Sequence, residues 1–139
     1  MTAHGFSFVL DAGAMSAVAS GDRDALPWLE AARQSDSVLY VSTVTLVEVT
    51  DGSARDANVR RSLGAVRAVP VSEGIGFTAG RLRRQAAASP PKARDLTVDA
   101  IVAATALSVP GPVVVLTSDT GDLRLLLQDT PVHIASLSG

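Results

Sequence analysis

VVVLTSDTGDL, residues 113–123, sets a β-branched apolar run against a sudden cluster of hydroxyl and carboxyl groups. The first residues have the composition of a strand buried on both faces. Thr117, Ser118 and Asp119 end the run, and Asp122 follows three residues later. Near the start of the chain FSFVLDAG (6–13) repeats the arrangement, with Asp11 closing an apolar run. Acids in such places have an ordinary role as caps of the helices that follow. They have a second role if the strand ends converge, because they then line one pocket.

Outward from these two stretches, short apolar runs alternate with helical periodicity. VLYV (38–41), AVPV (68–71) and VHIAS (132–136) read as further strands. Segments 12–21, 22–34, 54–67, 72–88, 96–109 and 120–128 read as helices, with Pro27 suited to a first turn. In 96–109 the apolar residues 98, 101, 102 and 106 mark the buried face. SPPKARD (89–95) is a loop, because paired prolines stop a helix. STVTLVEVTDG (42–52) is ambiguous: its β-branched residues favour a strand, whereas Ser42 as N-cap, the spacing of Val44 and Val47, and Gly52 as a stop favour a helix. We read it as a helix. Unbroken apolar strands separated by helices predict a parallel sheet with helices on both faces.

The 139 residues suit a single domain, 1–139, with a substantial core. Apolar residues make up 47 % of the sequence and mean hydropathy is +0.28, which argues against disorder. No apolar stretch is long enough to span a bilayer, no secretory leader is evident, and Cys is absent. A cytoplasmic location fits these features. The net charge of −2 conceals a polarity: residues 55–94 hold nine basic residues against Asp56 and Glu73, while three Arg face twelve acids elsewhere. The basic segment suits either solvated helix faces or a polyanion, with Arg81, Arg84, Lys92 and Arg94 as candidate contacts. The lone Trp28 suits packing or a partner groove, and His4 and His133 sit far from any acid motif.

Glu48 within TLVEVT and Asp99 within LTVDAIVAA also stand among apolar neighbours. Such a carboxylate is costly unless it is exposed, paired, hydrogen-bonded or metal-bound. Taken singly, Asp99 and Asp122 are also explained as first-turn helix acids. Taken together, carboxylates without His or Cys suit a hard cation such as Mg²⁺ or Mn²⁺. A second Asp two residues after Asp11, as phosphatases of the haloacid-dehalogenase type need, is missing, since position 13 is Gly. No Gly-rich phosphate loop follows a strand.

The set FVLDAG, STVTLVEVTDG, DLTVDAIVAATAL and VVVLTSDTGDLRLL, in this order, resembles PIN-domain ribonucleases, and more narrowly the VapC toxins of type II toxin–antitoxin modules. The resemblance covers the chain from Phe8 onward. It implies a three-layer α/β/α PIN-like fold with a central parallel sheet of four to five strands, and a Mg²⁺- or Mn²⁺-dependent endoribonuclease. By position Asp11, Glu48 and Asp99 match the family's metal-holding acids, and either Asp119 or Asp122 matches the fourth. Thr117 or Ser118 is placed to orient them. The resemblance further implies tRNA or rRNA as substrate, products with 5′-phosphate and 3′-hydroxyl ends, a VapB-like antitoxin and a homodimer. The chain departs from many relatives in lacking a Ser or Thr soon after the first Asp, where it has Ala12, Gly13 and Ala14. A PIN-like protein that binds RNA or antitoxin with little cleavage is the alternative.

Overall fold

Alternation along the first strand divides the core in two. In the computed structural model, which describes residues 5–87 and 95–139, strand β1 (Ser7–Leu10) is buried at every position. Phe8 and Leu10 enter one apolar cluster and Val9 the other, as the two-residue period of a strand dictates. The first cluster is completed by helices α1 (Ala12–Ser20), α2 (Leu26–Gln34) and α4 (Asp56–Ser62). The second is completed by α5 (Glu73–Ala87), α6 (Thr97–Ser108) and α7 (Gly121–Leu127). Between these layers lies a five-stranded sheet, in the order β3-β2-β1-β4-β5. Its other strands are β2 (Val38–Ser42), β3 (Val66–Val69), β4 (Val113–Thr117) and β5 (His133–Ser136), and every pairing is parallel. The expected three-layer α/β/α architecture is therefore present.

The ambiguous 42–52 segment is helical. Ser42 Oγ accepts the Val44 N–H at 3.2 Å, opening α3 (Thr43–Val49). The helix ends earlier than Gly52, because Thr50 turns extended and its hydroxyl donates to the Leu46 carbonyl. The third strand lies two residues before the expected AVPV, since Pro70 has no N–H for a ladder. Helix α2 likewise starts later than Asp22, whose carboxylate instead accepts the Asp24 N–H at 2.8 Å in the preceding turn. Helix α6 is buried well beyond the expected stripe: Ala100, Ala103, Ala104 and Thr105 are buried as well as Val102 and Ala106. Small side chains allow this helix to lie close against the sheet and α5. Trp28 packs edge-on against Phe8 and donates its indole N–H to Leu137 O at 2.9 Å. Lys92, Arg94, His4 and most of the 89–95 loop lie outside the described residues. Among the described residues no helix is long and apolar enough to cross a membrane.

The strand order places a topological switch point between β1 and β4, where successive connections leave towards opposite faces. Crevices for ligands form there, beyond the carboxyl ends of the strands.

Candidate active site

Leu10 pairs in register with Leu116, and the Asp11 N–H continues the ladder to Leu116 O at 3.1 Å. Asp11, the first residue beyond β1, is thereby placed beside Thr117, the last residue of β4. Asp11 Oδ1 accepts the Ala14 N–H at 2.9 Å and so caps α1. Its Oδ2 accepts from the fully buried Thr117 hydroxyl. Asp11 thus caps a helix, as the plainer reading of the opening acids has it, and does so at the carboxyl end of β1 beside β4.

Thr117 Oγ1 also accepts the Asp119 N–H at 2.9 Å and lies 2.8 Å from Asp119 O. A hydroxyl has one proton, and the charged Asp11 is the stronger claimant for it. Asp119 Oδ1 in turn accepts the Gly121 N–H at 3.1 Å. Burial is the main influence raising the Asp11 carboxyl above its ordinary value, and the like charge of Asp119 adds to it. Hydrogen bonds from Thr117 and from the Ala14 and Gly13 backbone act in the opposite sense. The Asp119 charge therefore lies near enough to act on the Asp11 carboxyl, although burial weighs more.

The other expected acids stand around this pair in different settings. Glu48 is exposed on the last turn of α3, so the desolvation argument that singled it out in the sequence does not apply. It nevertheless lines a groove of about 570 Å³ that also touches Ala12, Gly13, Arg55 and Asn58. Asp99 is half-buried in the first turn of α6, and Asp122 is 5 % exposed in the first turn of α7. Among the described residues, no three Asp, Glu or His side chains gather closely enough to enclose a metal ion. Asp11 and Asp119 are linked through Thr117, whose hydroxyl bonds the Asp11 carboxylate and accepts the Asp119 N–H. A Mg²⁺-like ion fits this pair, since such ions are commonly held by one or two carboxylates with water and substrate phosphate completing the shell.

The expected RNA contacts Arg81 and Arg84 are exposed on α5. The Arg that borders the groove is Arg55, held at 3.2 Å by Asp51. Sequence reasoning did not separate it from its basic neighbours. Its one distinguishing signal was proximity to Glu48 along the chain.

A family model of the PIN domain matches residues 8–125. This chain belongs to the PIN-domain family. PIN domains are generally nucleases and typically use divalent metals. The PIN fold here is similar to a chain of VapBC2 from Rickettsia felis, solved bound to a DNA fragment from its promoter. The TM-score is 0.73 with 13 % identity, over 94 % of this chain and 98 % of that one. It is similar also to a chain of VapBC-1 from nontypeable Haemophilus influenzae, with TM-score 0.69 and 15 % identity over 96 % and 99 % of the two chains. A chain of a toxin–antitoxin complex from Klebsiella pneumoniae gives 0.62 and 23 % over 89 % and 93 %. No curated protein matches this chain by sequence.

Proposed function

We propose that this PIN domain is the VapC-type toxin of a toxin–antitoxin pair. In this reading residues 1–139 act as one unit in the cytoplasm, as a Mg²⁺- or Mn²⁺-dependent endoribonuclease cutting tRNA or rRNA and so arresting translation. The observation that carries the reading is the convergence of Asp11 and Asp119 at the switch point of a PIN fold. The solved structures above, which are VapBC and toxin–antitoxin complexes by name, support the toxin class and a VapB-like antitoxin.

The chemistry supplied by a bound divalent cation is neutralisation of phosphodiester charge and acidification of water. Asp11 and Asp119 hold the cation, with Glu48 and Asp99 available from the flanking helices. Asp11 accepts from Ala14 at Oδ1 and from Thr117 at Oδ2, and a carboxylate offers about four lone-pair sites, so capacity remains for this task. Thr117 fixes the rotamer of Asp11 and the backbone of Asp119 together, so the two acids keep one spacing. Arg55, on the groove wall, meets the anionic backbone of the substrate and contributes affinity without base preference.

Bulk tRNA incubated with Mn²⁺, with and without EDTA, tests the reading. Wild-type cleavage is expected to stop on chelation and in Asp99→Asn. Asp119→Asn should lose about 10²-fold in rate, the scale of removing one fixed electrostatic group. Asp122→Asn should retain cleavage but lose about 1–3 kcal/mol of stability, as befits a buried polar group deprived of a partner. The reverse pattern would assign the fourth role to Asp122. Cleavage that persists through EDTA removes the metal-nuclease reading. Binding of tRNA without cleavage favours the alternative, a PIN-like binder, for which Ala12, Gly13 and Ala14 in place of a Ser or Thr after Asp11 speak.

The homodimer in this proposal uses the outer face of α5. Phe77 is 76 % exposed and Val71 41 % exposed, and both border Gly76 and Gly80, which permit close approach. An apolar face of this kind marks an interaction site more often than a free surface. Phe77→Glu is expected to convert a sedimenting dimer to monomer with unchanged circular dichroism. A monomeric wild-type chain at micromolar concentration would refute the dimer.

A further inference from the structure

Gly13 lies within α1, and its φ is outside the positive range that only glycine tolerates easily. Glycine is a poor choice at a helical position with ordinary backbone angles. Space explains it. A Cβ placed on residue 13 would lie 2.1 Å from Ser118 Oγ and 2.9 Å from Ser118 Cβ. The loop that leaves β4 therefore presses a serine against the first turn of α1, in the volume that a side chain at 13 would fill. The same Cβ position is 3.6 Å from Asp11 Oδ1, so the hydroxyl and the carboxylate flank a single point. Ser118 is exposed, and Gly13, against which it packs, lines the groove that holds Glu48. Unlike Thr117, whose hydroxyl is consumed by Asp11 and Asp119, it donates to no group among the described residues.

We propose that Ser118 is a substrate-contacting residue of the acid site, and that its hydroxyl donates to a non-bridging oxygen of the RNA phosphodiester beside Asp11. The inference rests on the nuclease reading above. A hydroxyl suits this place because two carboxylates already crowd the crevice and an anionic phosphate there needs donors. A hydrogen bond to an ionised oxygen is among the stronger kinds, and a neutral donor adds it without competing for the cation. Gly13 is the matching requirement on α1: any larger residue displaces Ser118. The hydroxyl absent from the segment after Asp11 is in this way supplied from the other strand end.

Four full-length variants test the pairing, with bulk tRNA and Mn²⁺ for cleavage, thermal melting for fold and calorimetric Mn²⁺ titration for cation binding. Ser118→Ala is expected to keep the melting temperature and Mn²⁺ affinity while kcat falls about 10²-fold, the loss expected for one donor at developing charge, with KM little changed. Ser118→Gly, the control for the double variant, should lose the same activity. Gly13→Ser should melt lower, because its side chain meets Ser118. The exchange Gly13→Ser with Ser118→Gly should recover the melting temperature and bring cleavage back to within about tenfold of wild type, since the hydroxyl returns from α1 to the same point. Ser118→Ala cleaving within twofold of wild type overturns the proposal alone, as does an exchange variant that regains stability without regaining cleavage. A wild-type chain that binds Mn²⁺ and cleaves nothing overturns the nuclease reading together with this one.

Discussion

Asp11→Asn is expected to lower RNA cleavage by about 10³-fold and, at neutral pH, to raise the unfolding midpoint. Asparagine keeps the cap on α1, because its amide oxygen accepts the Ala14 N–H as Oδ1 does. Its NH₂ group meets Thr117 Oγ1, whose proton is then released to the Asp119 carbonyl. Only the charge is lost. Burial above all, then the neighbouring Asp119, holds the folded-state pKa of Asp11 above its ordinary 3.8, against the hydrogen bonds that lower it. A carboxyl with a raised folded pKa binds its proton more tightly in the folded chain than in the unfolded one. Its contribution to stability therefore falls as pH rises from 3.8 through the folded value. At neutral pH ionised Asp11 weighs against the fold, and the neutral amide removes that burden. The gap in melting temperature between variant and wild type should close as pH is lowered towards 3.8. Such an exchange of stability for activity is the usual sign of a functional group held in an unfavourable setting. An Asp11→Asn protein that melts below wild type at pH 7 would show that the cap and pocket need the charge.

Leu10→Ala should give the largest loss of stability, about 2–5 kcal/mol. Leu10 is fully buried on the central strand, in register with Val41 on one side and Leu116 on the other. It belongs to the cluster that contains Met15, Leu39 and Val41. The strand is pinned by ladders on both edges, so the backbone cannot move inwards to fill the space. Against a total of about 5–15 kcal/mol for a domain, this loss brings the fold near its limit. In urea the unfolding midpoint should drop with an unchanged slope. A loss below about 1 kcal/mol would mean that the surrounding helices collapse into the cavity. Because Asp11 follows directly, cleavage should fall further than the unfolded fraction alone accounts for.

Much of the fold was legible because strand and helix periods differ and the turn chemistry agreed with them. Ser42 decided the ambiguous third helix, as a side chain able to cap it. Pro70 could have placed β3 correctly, since a residue without an N–H ends a ladder; the sequence reading gave more weight to the apolar pattern of AVPV. The positions of Asp11 and Asp119 just beyond neighbouring strands were legible from the abrupt ends of those strands. Glu48 was singled out for burial it does not have, because a helix on the rim of the sheet carries apolar residues without being enclosed; Val47 beside it is 76 % exposed. What composition and spacing cannot encode is the meeting of distant segments. Nothing local to Gly13 announces Ser118, and nothing in the basic segment announces that Arg55 alone among its described arginines borders the groove with Glu48.

The hydrogen bond between Asp11 and Thr117 spans 106 positions of the chain. The strand β1 precedes the other four in sequence and is the centre of the sheet, yet its second neighbour is β4. During translation β1 must wait, with one edge bare, until residue 117 has left the ribosome. Contacts so far apart in sequence close slowly, and the acid pair forms only with them. A chain terminated before β4 therefore lacks the contact between Asp11 and Thr117, and with it the link to Asp119.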